Sequence, residues 1–154
     1  MAISYSTSVD IRGKAADPVV TELLFENKTI ADNLVDFNDG INTFIAKLYG
    51  KQAENLINYG ELTLYEPGDF TLMHRDGQNP GRLCAVLVYF SKEYNESYGG
   101  QLLLKHNNKY IEVLPVYGNY VILDFTRHNI EHGVNQVRNG FKRMAYLSFV
   151  REKQ

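Results

Sequence analysis

A chain of 154 residues with 16 Lys and Arg against 18 Asp and Glu is sized for one hydrophobic core, and its formal charge of −2 excludes a polyelectrolyte grip on nucleic acid. At this length about 68–70% of the unfolded surface can be buried, so no metal or disulfide is needed to hold the fold, and a metal site points to function. Cys84 is the single cysteine, so no internal disulfide can form; with no apolar signal core near the N-terminus, a reducing, cytoplasmic setting is expected.

Helical periodicity is confined to the first third. Pro18 can open a short helix over 19–25. Leu34, Phe37, Ile41, Phe44 and Leu48 then recur at spacings of three and four, which predicts an amphipathic helix over 30–48, with Thr29 and Asp32 as a capping box and Gly50 as its stop. A third helical stretch is expected near 52–58. From Gly60 onward the pattern changes to short β-rich runs separated by turn signals such as Pro67-Gly68, Gly99-Gly100 and Asn139-Gly140. Strands are expected near 61–66, 70–75, 82–90, 100–105, 110–114, 119–125, 131–134 and 142–150. The apolar run over 83–90 has the length of a buried strand and is too short to span a membrane. Together these elements predict a mainly β protein with N-terminal helices. Its fold would be a double-stranded β-helix, or jelly roll, forming one domain over 1–154, with 1–58 as helical support and 59–151 as the core.

Chemistry enters at His74 and Asp76, where a spacing of two at a strand end points both groups to one face. Taken alone, the pair also reads as a surface turn. His132 lies on a later strand that a barrel can bring beside the first, and His128 is its weaker competitor. Two His and one carboxylate on a face match the facial triad of non-haem Fe(II) oxygenases. A catalytic zinc remains the alternative, although no separate general base for hydrolysis stands out. On the strand over 141–149, alternation puts Arg143, Ala145, Leu147 and Phe149 on one face and Lys142, Met144, Tyr146 and Ser148 on the other. An Arg sharing a face with Ala, Leu and Phe either snorkels to solvent or holds a buried anion, and its fork suits a carboxylate.

In this order the motifs resemble the Fe(II)/2-oxoglutarate-dependent oxygenases, and within them the prolyl hydroxylase branch. The resemblance rests on Tyr65-Glu66-Pro67-Gly68 leading into His74 and Asp76, on Gly81-Arg82, and on the strand ending Val88-Tyr89-Phe90. It continues through Gly99-Gly100-Gln101-Leu102 and closes with His132, Val134, Val137, Gly140 and Arg143. It implies Fe(II) held by His74, Asp76 and His132, with 2-oxoglutarate and O₂ as co-substrates and ascorbate as an auxiliary reductant. Arg143 would pair with the distal carboxylate of 2-oxoglutarate, with Tyr89 hydrogen-bonding the same group and Tyr65 lining the pocket; Lys142 is the competing anchor. Asp76, which related halogenases lack, favours hydroxylation.

The loops over 77–81 and 91–98 are the expected lids, and Tyr94 and Tyr98 in the second suit a peptide or flat substrate. The expected reaction is hydroxylation of an unactivated C–H bond on a prolyl residue in a peptide or protein. A free amino acid or other small metabolite is the alternative substrate, and a non-catalytic jelly-roll module is the alternative class. Neither nucleic acid nor membrane is expected as a partner.

Overall fold

The computed structural model describes residues 9–10, 14–15, 28–76, 81–128 and 130–154. Two short strands, β1 (Val9–Asp10) and β2 (Lys14–Ala15), pair antiparallel. The helix expected over 19–25 lies outside the described residues. Helix α1 spans Lys28–Tyr49 and ends at Gly50, where Lys51 N donates to Ala46 O and Gly50 N to Lys47 O, satisfying carbonyls the last turn would otherwise leave free.

The apolar stripe of α1 is only partly used as expected. Ile41 and Ile45 are buried with Phe37 and Tyr49 beside them, a row at spacing four, whereas Phe44 and Leu48 are 47% and 54% exposed. The four-spaced row seats on the sheet. Phe44 instead borders an apolar groove of about 690 Å³ between α1 and the sheet, its ring edge-on to Tyr120.

The stretch near 52–58 is not a third helix. One 3-10 turn, Ala53–Asn55, leads directly into β3 (Leu56–Tyr65). The reason is tertiary. Strand β10 (Arg143–Glu152) pairs with β3 through ten positions from Leu56↔Glu152 to Tyr65↔Arg143, so the strand starts well before 61. The other strands fall close to expectation: β4 (Thr71–His74), β5 (Arg82–Tyr89), β6 (Leu102–His106), β7 (Lys109–Val113), β8 (Tyr120–Asp124) and β9 (Glu131–Val134).

They form two four-stranded sheets, ordered β3-β10-β5-β8 and β4-β9-β6-β7, antiparallel throughout. This is the double-stranded β-helix. Strand β5 is buried on both faces, as its continuous apolar run requires. Cys84 and Val86 meet α1, while Ala85 and Leu87 face the second sheet with Leu123, Leu104 and Leu147. Under α1, Tyr146 Oη donates to Asn38 Oδ1, Asn38 Nδ2 to Asn58 Oδ1, and Asn58 Nδ2 to Asn38 O, so these three side chains form one hydrogen-bonded group.

One irregularity aims a key side chain. Between Thr71↔Val134 and His74↔His132, β4 advances three residues while β9 advances two, a β-bulge. Regular alternation would send Thr71 and His74 to opposite faces. The extra residue turns both inward, Thr71 to hydrogen-bond Tyr65 and His74 to meet His132. The bulged backbone presses onto Gly133, where a Cβ would stand 2.7 Å from Thr71 O and 3.1 Å from Met73 N. Main chain on both sides cannot give way, so Gly133→Ala is expected to destabilise the protein by about 1–3 kcal/mol, read as a lowered urea midpoint at unchanged m-value.

Candidate functional site

His74, Asp76 and His132 come together between the sheets with their ligand atoms all within 4.8 Å of one another, and among the described residues they are the only such group. The imidazoles, tilted 51° at a centroid separation of 4.4 Å, are fixed by their own strands. His74 Nδ1 lies 2.8 Å from Leu72 O, and His132 Nδ1 lies 3.2 Å from Ile130 O. A carbonyl only accepts, so each Nδ1 carries the hydrogen and each Nε2 turns its lone pair inward.

Those Nε2 atoms face a carboxylate, His74 to Asp76 Oδ1 at 3.4 Å and His132 to Asp76 Oδ2 at 3.3 Å. Lone pairs converging in this way require a cation among them. Without a metal, a proton on His132 serves. Burial works against that imidazolium, yet its hydrogen bonds to Asp76 and the Ile130 carbonyl raise its pKa above the ordinary value. The same bond, opposed by burial and assisted by the charges of His132, His74 and Arg82, holds the Asp76 carboxyl below its usual range. A divalent ion would satisfy all three at once. Two imidazoles and one carboxylate, with His74 42% exposed and His132 9%, suit a metal with coordination positions left open.

Arg143, the first residue of β10, is 1% exposed and sits on the face directed between the sheets. Its Nε donates to Gly100 O at 2.8 Å, and its guanidinium carbon lies 5.0 and 5.1 Å from the ring centroids of Tyr65 and Tyr89. Gly100 makes room: a Cβ there would stand 3.1 Å from Arg143 Cδ. Of the buried polar side-chain atoms without a hydrogen-bond partner among the described residues, two lie here, Arg143 Nη2 and Tyr89 Oη. Burial raises the Tyr89 pKa despite the nearby Arg143, so its hydroxyl remains a donor. A cation and a neutral donor, both buried and without partners, could receive a carboxylate. Tyr65 takes part differently, with its ring beside Arg143 and its hydroxyl 2.6 Å from Thr71 Oγ1.

The competing residues lie elsewhere. Lys142 is exposed and pairs with Glu66 at 3.3 Å, while His128 is exposed and outside the cluster. Tyr94 and Tyr98 do not stand as open stacking platforms. Tyr98 stacks on Phe141 at 5.2 Å and 18°, and Tyr94 packs edge-on to both rings. The other expected lid lies mostly in 77–80, outside the described residues. Thr71 and Gly133 shape the site without having been singled out, because their importance follows from the bulge. A glycine directly after His132 was the available sign.

Residues 60–151 match the sequence profile of the 2OG-Fe(II) oxygenase superfamily. No curated protein sequence matches the chain. Among solved structures, a prolyl-4-hydroxylase from Pseudomonas putida is 19% identical, with a TM-score of 0.65, over 77% of this chain and 65% of that one. A prolyl hydroxylase from Trichoplax adhaerens, in complex with a hypoxia inducible factor oxygen degradation domain peptide fragment, is 24% identical with a TM-score of 0.54, over 62% of this chain and 44% of that one. The viral collagen prolyl hydroxylase of Paramecium Bursaria Chlorella virus-1, as its 2OG complex, is 15% identical with a TM-score of 0.57, over 77% and 74%. The chain spans less than two thirds of the length of the first two structures, and at these identities the likeness is one of fold. The superfamily profile covers well over half of the sequence, and the chain belongs to the 2OG-Fe(II) oxygenase superfamily, which uses Fe(II) and 2-oxoglutarate.

Proposed function

We propose that the chain is an Fe(II)- and 2-oxoglutarate-dependent hydroxylase of prolyl residues in a peptide or protein, working in the cytoplasm. His74, Asp76 and His132 would hold the iron, and Arg143 and Tyr89 the distal carboxylate of 2-oxoglutarate, with Tyr65 lining that pocket. The observation that carries the reading is a converging His-Asp-His set together with a buried guanidinium and phenol that lack partners, linked through Tyr65, whose ring lies beside Arg143 and whose hydroxyl bonds Thr71 on the strand that carries His74. When bound, iron and 2-oxoglutarate supply oxidative decarboxylation coupled to C–H hydroxylation. The chain's own residues orient and shield. Strands β4 and β9 hold the two imidazoles as neutral Nδ1–H tautomers, Asp76 offers its carboxylate, and Arg143 and Tyr89 fix one end of the co-substrate in a site closed to water.

The peptide part of the reading is supported by the prolyl hydroxylases among structures of this fold, one of them solved with a peptide fragment. A specific observation favours a second substrate class, a free amino acid or other amine. Glu61 lies opposite Leu147 on the inward face of β3, half-buried, with its carboxyl pKa raised by burial and with no cation paired to it among the described residues. A substrate ammonium would suit it.

Anaerobic addition of Fe(II) and 2-oxoglutarate is expected to give a weak visible charge-transfer band, which His74→Ala, Asp76→Ala and His132→Ala each abolish. Arg143→Ala should raise the 2-oxoglutarate concentration needed for the band by one or more orders of magnitude, roughly 1.5–3 kcal/mol, while Lys142→Ala leaves it nearly unchanged. The reverse ranking would make Lys142 the anchor. For the substrate, mass spectrometry of proline-containing peptides after aerobic reaction should show one added oxygen located on proline. Oxygen insertion into free amino acids with no peptide modified, and its loss in Glu61→Gln, would establish the second reading instead.

A further inference from the structure

Two of the three cluster residues are held by the sheet, and the third is not. His74 and His132 face each other across the β4–β9 ladder, and each is tied to the carbonyl two residues before it. Asp76 lies beyond the end of β4, where no ladder continues. Its backbone is fastened from the other sheet. Arg82, the first residue of β5, donates from Nη1 to Asp76 O at 3.3 Å. The Arg82 guanidinium lies over the ring of Phe149 on β10, with Cζ 3.9 Å from its centroid. The flat side chain is thus clasped on the inner wall of one sheet and grips the segment that the other sheet releases.

We infer that Arg82 is a positioning residue that sets the Asp76 carboxylate against the two histidines and so raises metal affinity. The choice of atom matters. A direct guanidinium–carboxylate bridge would compete with a metal for the Asp76 oxygens, whereas a bond to the main-chain carbonyl fixes the arm and leaves both oxygens facing the imidazoles. Arg suits the task better than Lys, because its plane covers an aromatic face while its edge donates. Outer-shell groups of this kind typically contribute about 10- to 100-fold in metal affinity.

This inference rests on the metal reading of the triad, and Co(II), which takes similar ligands and is stable in air, tests the two separately. Calorimetry and the visible cobalt bands measure binding to the full chain, with far-UV circular dichroism as the check of folding. Arg82→Met keeps an apolar stem over Phe149 and removes the donor. It is expected to weaken Co(II) binding about 10- to 100-fold and to shift the cobalt bands as the carboxylate loosens. In an Asp76→Ala background the same substitution should cost less than about 2-fold, since its effect passes through that ligand. If Arg82→Met lowers the apo melting temperature so far that binding cannot be read, Arg82→Lys takes its place. The Lys variant should show a smaller loss that also vanishes in the Asp76→Ala background. Binding within about 2-fold of the parent protein in the variant used, or an equal loss with and without Asp76, would overturn the positioning role. A parent protein that binds no Co(II) would overturn the metal reading, and this inference with it.

Discussion

A guanidinium at 1% exposure is the most deeply buried arginine or lysine among the described residues, and removing such an ion from water carries a penalty of several kcal/mol. What surrounds Arg143 offsets only part of it: one carbonyl, from Gly100, and two tyrosine rings. The architecture converges on keeping it there. Tyr65 ends β3 directly opposite, Tyr89 ends β5, and the Gly99↔Val137 bridge ties the loop that supplies Gly100. With Arg143 fixed inward, alternation along β10 dictates the rest of the wall, so Ala145, Leu147 and Phe149 follow it inward and Tyr146, Ser148 and Val150 are left to meet α1. The unpaired Nη2 is where the proposed carboxylate of the co-substrate would be held.

In the proposed reading, the His-Asp-His cluster and the buried Arg143 are complementary halves of one site, and they are built on different sheets. The sheet β4-β9-β6-β7 contributes the converging lone pairs, and β3-β10-β5-β8 contributes the buried positive charge. A chelating keto acid with a distal carboxylate can bridge such halves. Arg82, braced on Phe149 of its own sheet, reaches across to the segment that follows β4 through its bond to Asp76 O, beside the packing of Leu104 and Leu147.

Much of this was legible from periodicity. Alternation alone separated Arg143 from Lys142, and the structure buries the first and exposes the second. The apolar run of β5 announced a strand covered on both faces. The parts that could not be read belong to pairing rather than to local pattern. The start of β3 depends on a partner at the far end of the chain, Glu152, and the bulge in β4 is a mismatch between two strands that neither encodes by itself. In α1, apolar residues stand in both the three- and four-spaced rows, and only docking on the sheet chose Phe37, Ile41 and Ile45 over Phe44 and Leu48. Tyr94 and Tyr98 looked like a platform because a sequence shows rings without showing that Phe141 already occupies them.

The two histidines donate their Nδ1–H to carbonyls two residues behind them in the chain, Leu72 O and Ile130 O. Apart from Asp76, which faces their Nε2 atoms, the partners that orient these rings are main-chain carbonyls. The orientation of these imidazoles is thereby written largely into the main chain, and its sensitivity to substitution is concentrated where that main chain is crowded, at Gly133. Such a site can pass through extensive sequence drift with its donor geometry intact, while the loops that meet the substrate diverge freely.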